Sequence, residues 1–107
     1  MNNRQTDLTL EKLERELEVP HGYPRCLIVN EIGSVCLASE GKDGEETLLK
    51  LLESNRPSDR IIAFCYLSII PQLKEKHVSK LEAFKKDEAN AAIMPRAEEM
   101  ISAFSVA

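Results

Sequence analysis

The feature that most restricts how this chain folds is an order of segments that returns along it. An amphipathic stretch is followed by a Pro- or Gly-marked turn and then by a more apolar stretch, and the whole order recurs after about 35 residues, a period typical of stacked two-helix repeats. In the first unit Leu10, Leu13 and Leu17 are spaced for one helix face, with Glu11, Lys12, Glu14, Arg15 and Glu16 between them. Thr6 or Asp7 is placed to cap this helix. Pro20, Gly22 and Pro24 end it, and Cys26 to Leu37 supplies a second helix with Ile28, Ile32 and Val35 on one stripe. In the second unit Leu48, Leu49 and Leu52 mark the first helix, Asn55 to Asp59 the turn, and Ile61 to Ile70 an almost continuous apolar helix closed by Pro71. Leu13 and Leu17 map onto Leu48 and Leu52, while Ile28, Ile32 and Val35 map onto Ala63, Leu67 and Ile70. A third unit follows with Val78, Leu81 and Phe84, a turn at Asp87 to Asn90, and then Ala97, Ile101 and Phe104. The linker Ser39 to Gly44, with two glycines and no apolar anchor, reads as the most flexible stretch.

Two alternatives compete with this reading. A shifted register for the third unit aligns Pro95-Arg96 with Pro24-Arg25, which stacks Arg25, Arg60 and Arg96 at equivalent positions. Separately, Cys26 to Val29 and Ile61 to Ile70 are rich in β-branched and aromatic residues and fit two central strands. The second run favours a helix by its length and by Ala63, Cys65 and Ser68, whose small side chains permit close packing. A middle helix with neighbours on both sides also explains an apolar surface nearly all round.

The paired helices resemble the HEAT-repeat family. The resemblance is carried by Asp59, Ala63, Leu67 and Ile70 in the middle unit and by Ala97, Ile101 and Phe104 in the third: a turn, a small residue, then large apolar residues at four- and three-residue steps. The family's arginine within the second helix has no counterpart, since Cys65 and Tyr66 occupy that region. The resemblance implies an all-α fold, a short right-handed stack of about three antiparallel helix pairs, forming a single domain over 1–107 with units at about 6–38, 44–72 and 76–107. It further implies a non-enzymatic protein-interaction module, because stacked pairs present an extended face of second helices. On that face the candidate contact residues are Asn30, Glu31, Ser34 and Ser68, with Arg25 and Arg60 at the turn edges.

The residues give little support to catalysis. Gly22, Gly33, Gly41 and Gly44 form no phosphate-cradling loop. His21 and Cys26 lie across a turn and His77 stands apart, a spacing unlike that of a zinc site, so neither metal nor cofactor is expected. Cys26, Cys36 and Cys65 are odd in number and set among aliphatic residues, and are expected to be buried thiols. A thiol-dependent activity would rest on Cys26 near His21 or on Cys65. The pairs Glu45-Glu46 and Glu98-Glu99 sit at or near helix starts, where they complement the macrodipole. The segment Met1 to Arg15 lacks the apolar core of a secretory signal, and no run approaches the roughly 20 residues of a membrane span. A cytoplasmic protein is therefore expected, with no membrane partner.

The net charge of −4 offers no general attraction to nucleic acid. One patch runs against it: Lys74, Lys76, His77, Lys80, Lys85 and Lys86 crowd together, and an alternative function is nucleic-acid binding with Lys74, Lys76, Lys80, Lys85 and Lys86 on phosphates. A solvated helix face accounts for the same pattern. Met100, Ile101, Phe104 and Val106 on the last helix are the expected contacts of a homodimer formed through that end of the stack. The packed seam assigned to Ala63 yields a direct test. Ala63→Glu should lower the unfolding free energy by about 3 kcal/mol or more, because an unpaired charge in a tight helix seam is not solvated. Urea unfolding followed by circular dichroism measures it, and an unchanged midpoint would put Ala63 on the surface.

Overall fold

Proline and glycine set the element boundaries. The computed structural model describes residues 3–18 and 24–106, with side chains placed over 9–18 and 24–104. Among these there are seven α-helices and no strand: α1 (Asn3–Glu18), α2 (Arg25–Ala38), α3 (Glu45–Leu52), α4 (Pro57–Ile69), α5 (Pro71–Lys76), α6 (Val78–Lys86) and α7 (Met94–Val106). The strand alternative for Cys26–Val29 and Ile61–Ile70 is therefore excluded, as both runs are helical. Helix α1 begins at Asn3, so Thr6 and Asp7 lie inside it and neither is its cap. Pro20, His21 and Gly22 lie outside the described residues.

Pro24 and Pro57 open α2 and α4, where a missing N–H costs nothing and the fixed φ suits the first turn. Pro71 has two effects. It forces Ile70 into an extended conformation (ψ 108°), which ends α4, and it then begins α5. The sequence reading expected only the stop, and the short helix α5 is an addition to it. At His77 the chain breaks again before α6. After α6, Asp87 accepts from the Ala89 N–H and caps a 3₁₀ turn over Glu88–Asn90, where a turn was expected.

The Ser39–Gly44 linker is tied down rather than loose. The Gly41 N–H reaches back to the Cys36 carbonyl (2.8 Å) and the Glu40 N–H to that of Leu37 (3.1 Å), the paired bonds of a Schellman ending. Glu40 (φ 57°) holds the left-handed position usually given to glycine. Ser39 adds a bond from its hydroxyl to the Cys36 carbonyl and accepts the Asp43 N–H.

The core centres on α4. Ile62, Ala63, Phe64, Cys65, Tyr66 and Leu67 are consecutive and all buried, which requires neighbours on every side. Helix α2 packs against α4 through Val29, Ile32 and Cys36, α3 through Leu48, Leu51 and Leu52, and α7 through Ala97. Phe64 stacks on Phe84 of α6, centroids 4.6 Å apart and 15° from parallel. Helix α1 packs on α2, with Leu10, Leu13 and Leu17 half-buried against the core. The residues matched by repeat position, Ile28, Ala63 and Ala97, are all buried.

Gly33 is where α2 and α4 come closest. A Cβ built there would fall inside the Tyr66 ring, overlapping Cγ, Cδ2 and Cε2, the rigid root of the side chain rather than a movable tip. Gly33→Ala should therefore destabilise the fold by about 1–3 kcal/mol, outweighing the roughly 1 kcal/mol that alanine contributes to a helix interior. Thermal unfolding of Gly33→Ala, alone and with Tyr66→Ala, tests this. The double variant should show no further loss from the alanine, and equal losses in both backgrounds would disprove the contact.

Candidate interaction face

Two arginines, one in the first turn of α2 and one near the start of α4, each reach across to a later part of the chain. Arg25, the first residue of α2, grips Asp59 of α4 with Nε (3.1 and 3.2 Å to the two carboxylate oxygens) and Nη2 (3.0 Å), and donates through Nη1 to the Leu17 carbonyl at the end of α1 (3.0 Å). Asp59 is 1% exposed and also accepts the Ser54 hydroxyl (2.8 Å). Arg60 repeats the arrangement one unit on: Nε donates to the Asn90 carbonyl oxygen (2.9 Å) and Nη1 to the Ser54 carbonyl after α3 (2.8 Å). Asn90, also buried, closes its rung by donating to the Phe84 carbonyl (3.1 Å). Each arginine thus binds a carbonyl at or just after the end of the preceding helix and a buried side chain further along, Asp59 in the first turn of α4 and Asn90 in the 3₁₀ turn. The forked geometry needs guanidinium, which delivers several directed N–H groups at once.

Arg25 precedes the buried Ile28 by three residues and Arg60 precedes Ala63 by three; the residue three before Ala97 is Met94, half-buried against the core. Arg96, the third arginine of the shifted register, is exposed and makes no hydrogen bond or ion pair like those of Arg25 and Arg60 among the described residues. Arg25 and Arg60, read from sequence as surface contacts, spend their donors inside the molecule.

Two of the other predicted contacts, Asn30 and Ser34, meet at Tyr66. Its hydroxyl donates to the Asn30 side-chain oxygen (2.8 Å) and lies 3.3 Å from the Ser34 hydroxyl, both on α2. Its ring lies over Gly33 and meets Phe104 of α7 at 5.8 Å and 57°. Asn30, Glu31 and Ser34 are exposed along α2, and Ser68 is half-buried on α4 beside α6 and α7. Leu27 (49% exposed) and Leu37 (40%) flank Asn30 and Ser34 on the same stripe of α2, and Phe104 (42%) closes the face on α7. Sequence reasoning found the polar residues and missed Leu27, Leu37 and the central Tyr66. The signal was the stripe itself, since Leu27, Asn30, Ser34 and Leu37 follow helical spacing.

Of the residues expected at a dimer contact, Met100 and Ile101 pack partly inward, Phe104 is exposed, and the side chain of Val106 lies outside the described residues. Cys36 and Cys65 are buried as expected, and desolvation pushes both thiols up to about 11, which keeps them protonated. Cys26 is exposed, contrary to expectation, because it follows Arg25 on the outer side of the first turn of α2. Among the described residues, no three His, Cys, Asp or Glu side chains converge as a metal site, and no helix is long and apolar enough to cross a membrane.

No protein-family model, curated protein or solved structure matches this chain.

The lysine-rich segment divides by partner. Lys76 and His77 both bind Glu45 at the start of α3, at 2.9 and 2.6 Å, tying the α5–α6 break to α3. Lys80 stands 4.0 Å from Glu53 and Lys85 3.1 Å from Glu82, while Lys74 and Lys86 form no ion pair within 4.0 Å among the described residues. The hydrogen bond from His77, and then that from Lys76, holds the Glu45 carboxyl below the ordinary carboxylate range. A carboxyl whose pKa is lower folded than unfolded stabilises the fold at pH values above its unfolded pKa of about 4.3, and the contribution disappears as pH falls through the folded value. Urea unfolding from pH 7 to pH 3 should show Glu45→Gln less stable than the wild type at pH 7, with the gap closing below about pH 4. A gap independent of pH would show that Glu45 acts through packing alone.

Proposed function

We propose that this chain is a non-enzymatic protein-interaction module, a short right-handed stack of helix pairs resembling HEAT repeats, that binds its partner on the face formed by α2, α4 and α7. One observation carries the reading. Leu27, Leu37 and Phe104, three of the four large hydrophobic residues with exposed surface among the described residues, share this face around the polar cluster of Asn30, Ser34 and the Tyr66 hydroxyl. Exposed aromatic and aliphatic side chains are the usual anchors of an interface, and the polar groups beside them here already satisfy one another. The stacked reading draws support from the two arginine rungs, which join consecutive units in the same way, and from α2 and α7 lying against α4. Cys26, Cys36 and Cys65 are free thiols, in keeping with a cytoplasmic setting.

The test is capture from an extract of the native host on the immobilised wild-type protein and on Leu37→Glu/Phe104→Glu. Both positions are open enough for the variant to keep its helical spectrum. Partners held by the wild type should be retained at least about tenfold less by the variant, as expected for loss of interface anchors. Equal retention would remove this face from the function, and sedimentation of both proteins shows whether the partner is a second copy meeting through Phe104.

A further inference from the structure

Helices α6 and α7 both pack on α4, but a groove of about 300 Å³ runs between them. Its floor is Phe64 and Ser68 of α4, its walls are Val78 and Leu81 of α6 and Ile101 and Ser102 of α7. Val78, 54% exposed, is the most exposed of the large hydrophobic residues described. Two small residues, Ser68 and Ser102, leave room for another backbone to come close, and aliphatic side chains beside them offer seats at helical spacing.

The charges of the groove are ordered along its length. Lys85 is neutralised by Glu82 at 3.1 Å, and neither Lys74 nor Glu98 forms an ion pair within 4.0 Å among the described residues. Lys74 enters where α4 ends, its N–H bonded to the Ile70 carbonyl. Glu98 enters about midway along α4, next to Ala97, whose carbonyl accepts the Cys65 thiol. A helix carries partial positive charge at its N-terminus and partial negative charge at its C-terminus. One orientation therefore satisfies both free charges: N-terminal end toward Glu98, C-terminal carbonyls toward Lys74, which is the direction of α4 itself.

We propose that this groove seats one amphipathic helix of a partner protein, lying parallel to α4 with an aliphatic stripe against Val78, Leu81 and Ile101. The proposal rests on reading the chain as an interaction module and adds a second surface with a defined occupant. The recognition is of the helix-in-groove kind, with anchors at i, i+3 or i+4, and i+7.

The experiment selects binders to the whole chain from a displayed library of amphipathic peptides of about 16 residues, long enough to hold a helix. Their affinity is then measured for the wild type, Val78→Asp, Lys74→Glu and Leu37→Glu. Selected peptides should weaken about tenfold on Val78→Asp, about threefold on Lys74→Glu at low salt, and not at all on Leu37→Glu. A nitroxide on the peptide C-terminus should broaden the amide signals around Lys74, and one on the N-terminus those around Glu98. Peptides that respond to Leu37→Glu and ignore Val78→Asp would overturn this proposal while supporting the α2–α4–α7 face. The reverse orientation, or no enrichment of helices, would also overturn it. So would self-association of the wild type that Val78→Asp abolishes, since a second copy would then fill the groove.

Discussion

The buried carboxylate of Asp59 is the constraint around which the first two helix pairs are arranged. A charge with 1% exposure is tolerable only when its oxygens are occupied, and here they accept from the Arg25 guanidinium and the Ser54 hydroxyl. Removing any one partner leaves the others in place but the charge short of donors, at a cost of order 1–3 kcal/mol for an unsatisfied buried group. The same arginine satisfies the Leu17 carbonyl, one of the acceptors that every helix leaves open at its C-terminus. The end of α1, the start of α2 and the start of α4 are thereby fixed at one point. The second rung does comparable work with a neutral acceptor: Asn90 both accepts from Arg60 and donates to Phe84, so no charge is buried at the third unit.

Much of the helical order was legible in the residues because it is local. Leu48, Leu52, Ala63, Leu67 and Ile70 are buried as their spacing implies, and Pro57 and Pro71 stand at helix boundaries. What was illegible depends on distant partners. Asp59 reads as a turn residue until Arg25 is seen across from it, 34 positions away. Arg25 and Arg60 look like surface charges for the same reason. Gly33 gave a usable sign, since a lone glycine within an apolar helix points to a close approach, but the sequence does not say that Tyr66 fills the space. Cys26 misled because Ile28 and Val29 belong to the inner side of α2, while Cys26, like Leu27, lies on the outer one. Helix α5 was missed because a proline marks a start as readily as an end.

The two open surfaces of the third unit differ in chemistry. Toward α2, Phe104 closes over Tyr66 and the face is uncharged at its centre. Toward α6, a groove with charged rims lies over Phe64. Since α4 contributes Tyr66 to one and Phe64 to the other, a single helix two residues apart in sequence underlies both.

The arginine rungs also bear on the order in which the chain becomes structured during translation. Synthesis proceeds from the N-terminus at a pace of several residues per second, slow beside helix formation. Arg25 leaves the ribosome well before its acceptor, because Asp59 follows it by 34 residues, and Arg60 must likewise await Asn90, 30 residues later. Each helix pair is thus left with an unquenched cation at its edge until the next pair emerges. The segment of the first pair, residues 1–38, carries six acidic and four basic side chains, so Arg25 waits as an unmatched cation on a net-negative stretch until α4 arrives to claim it.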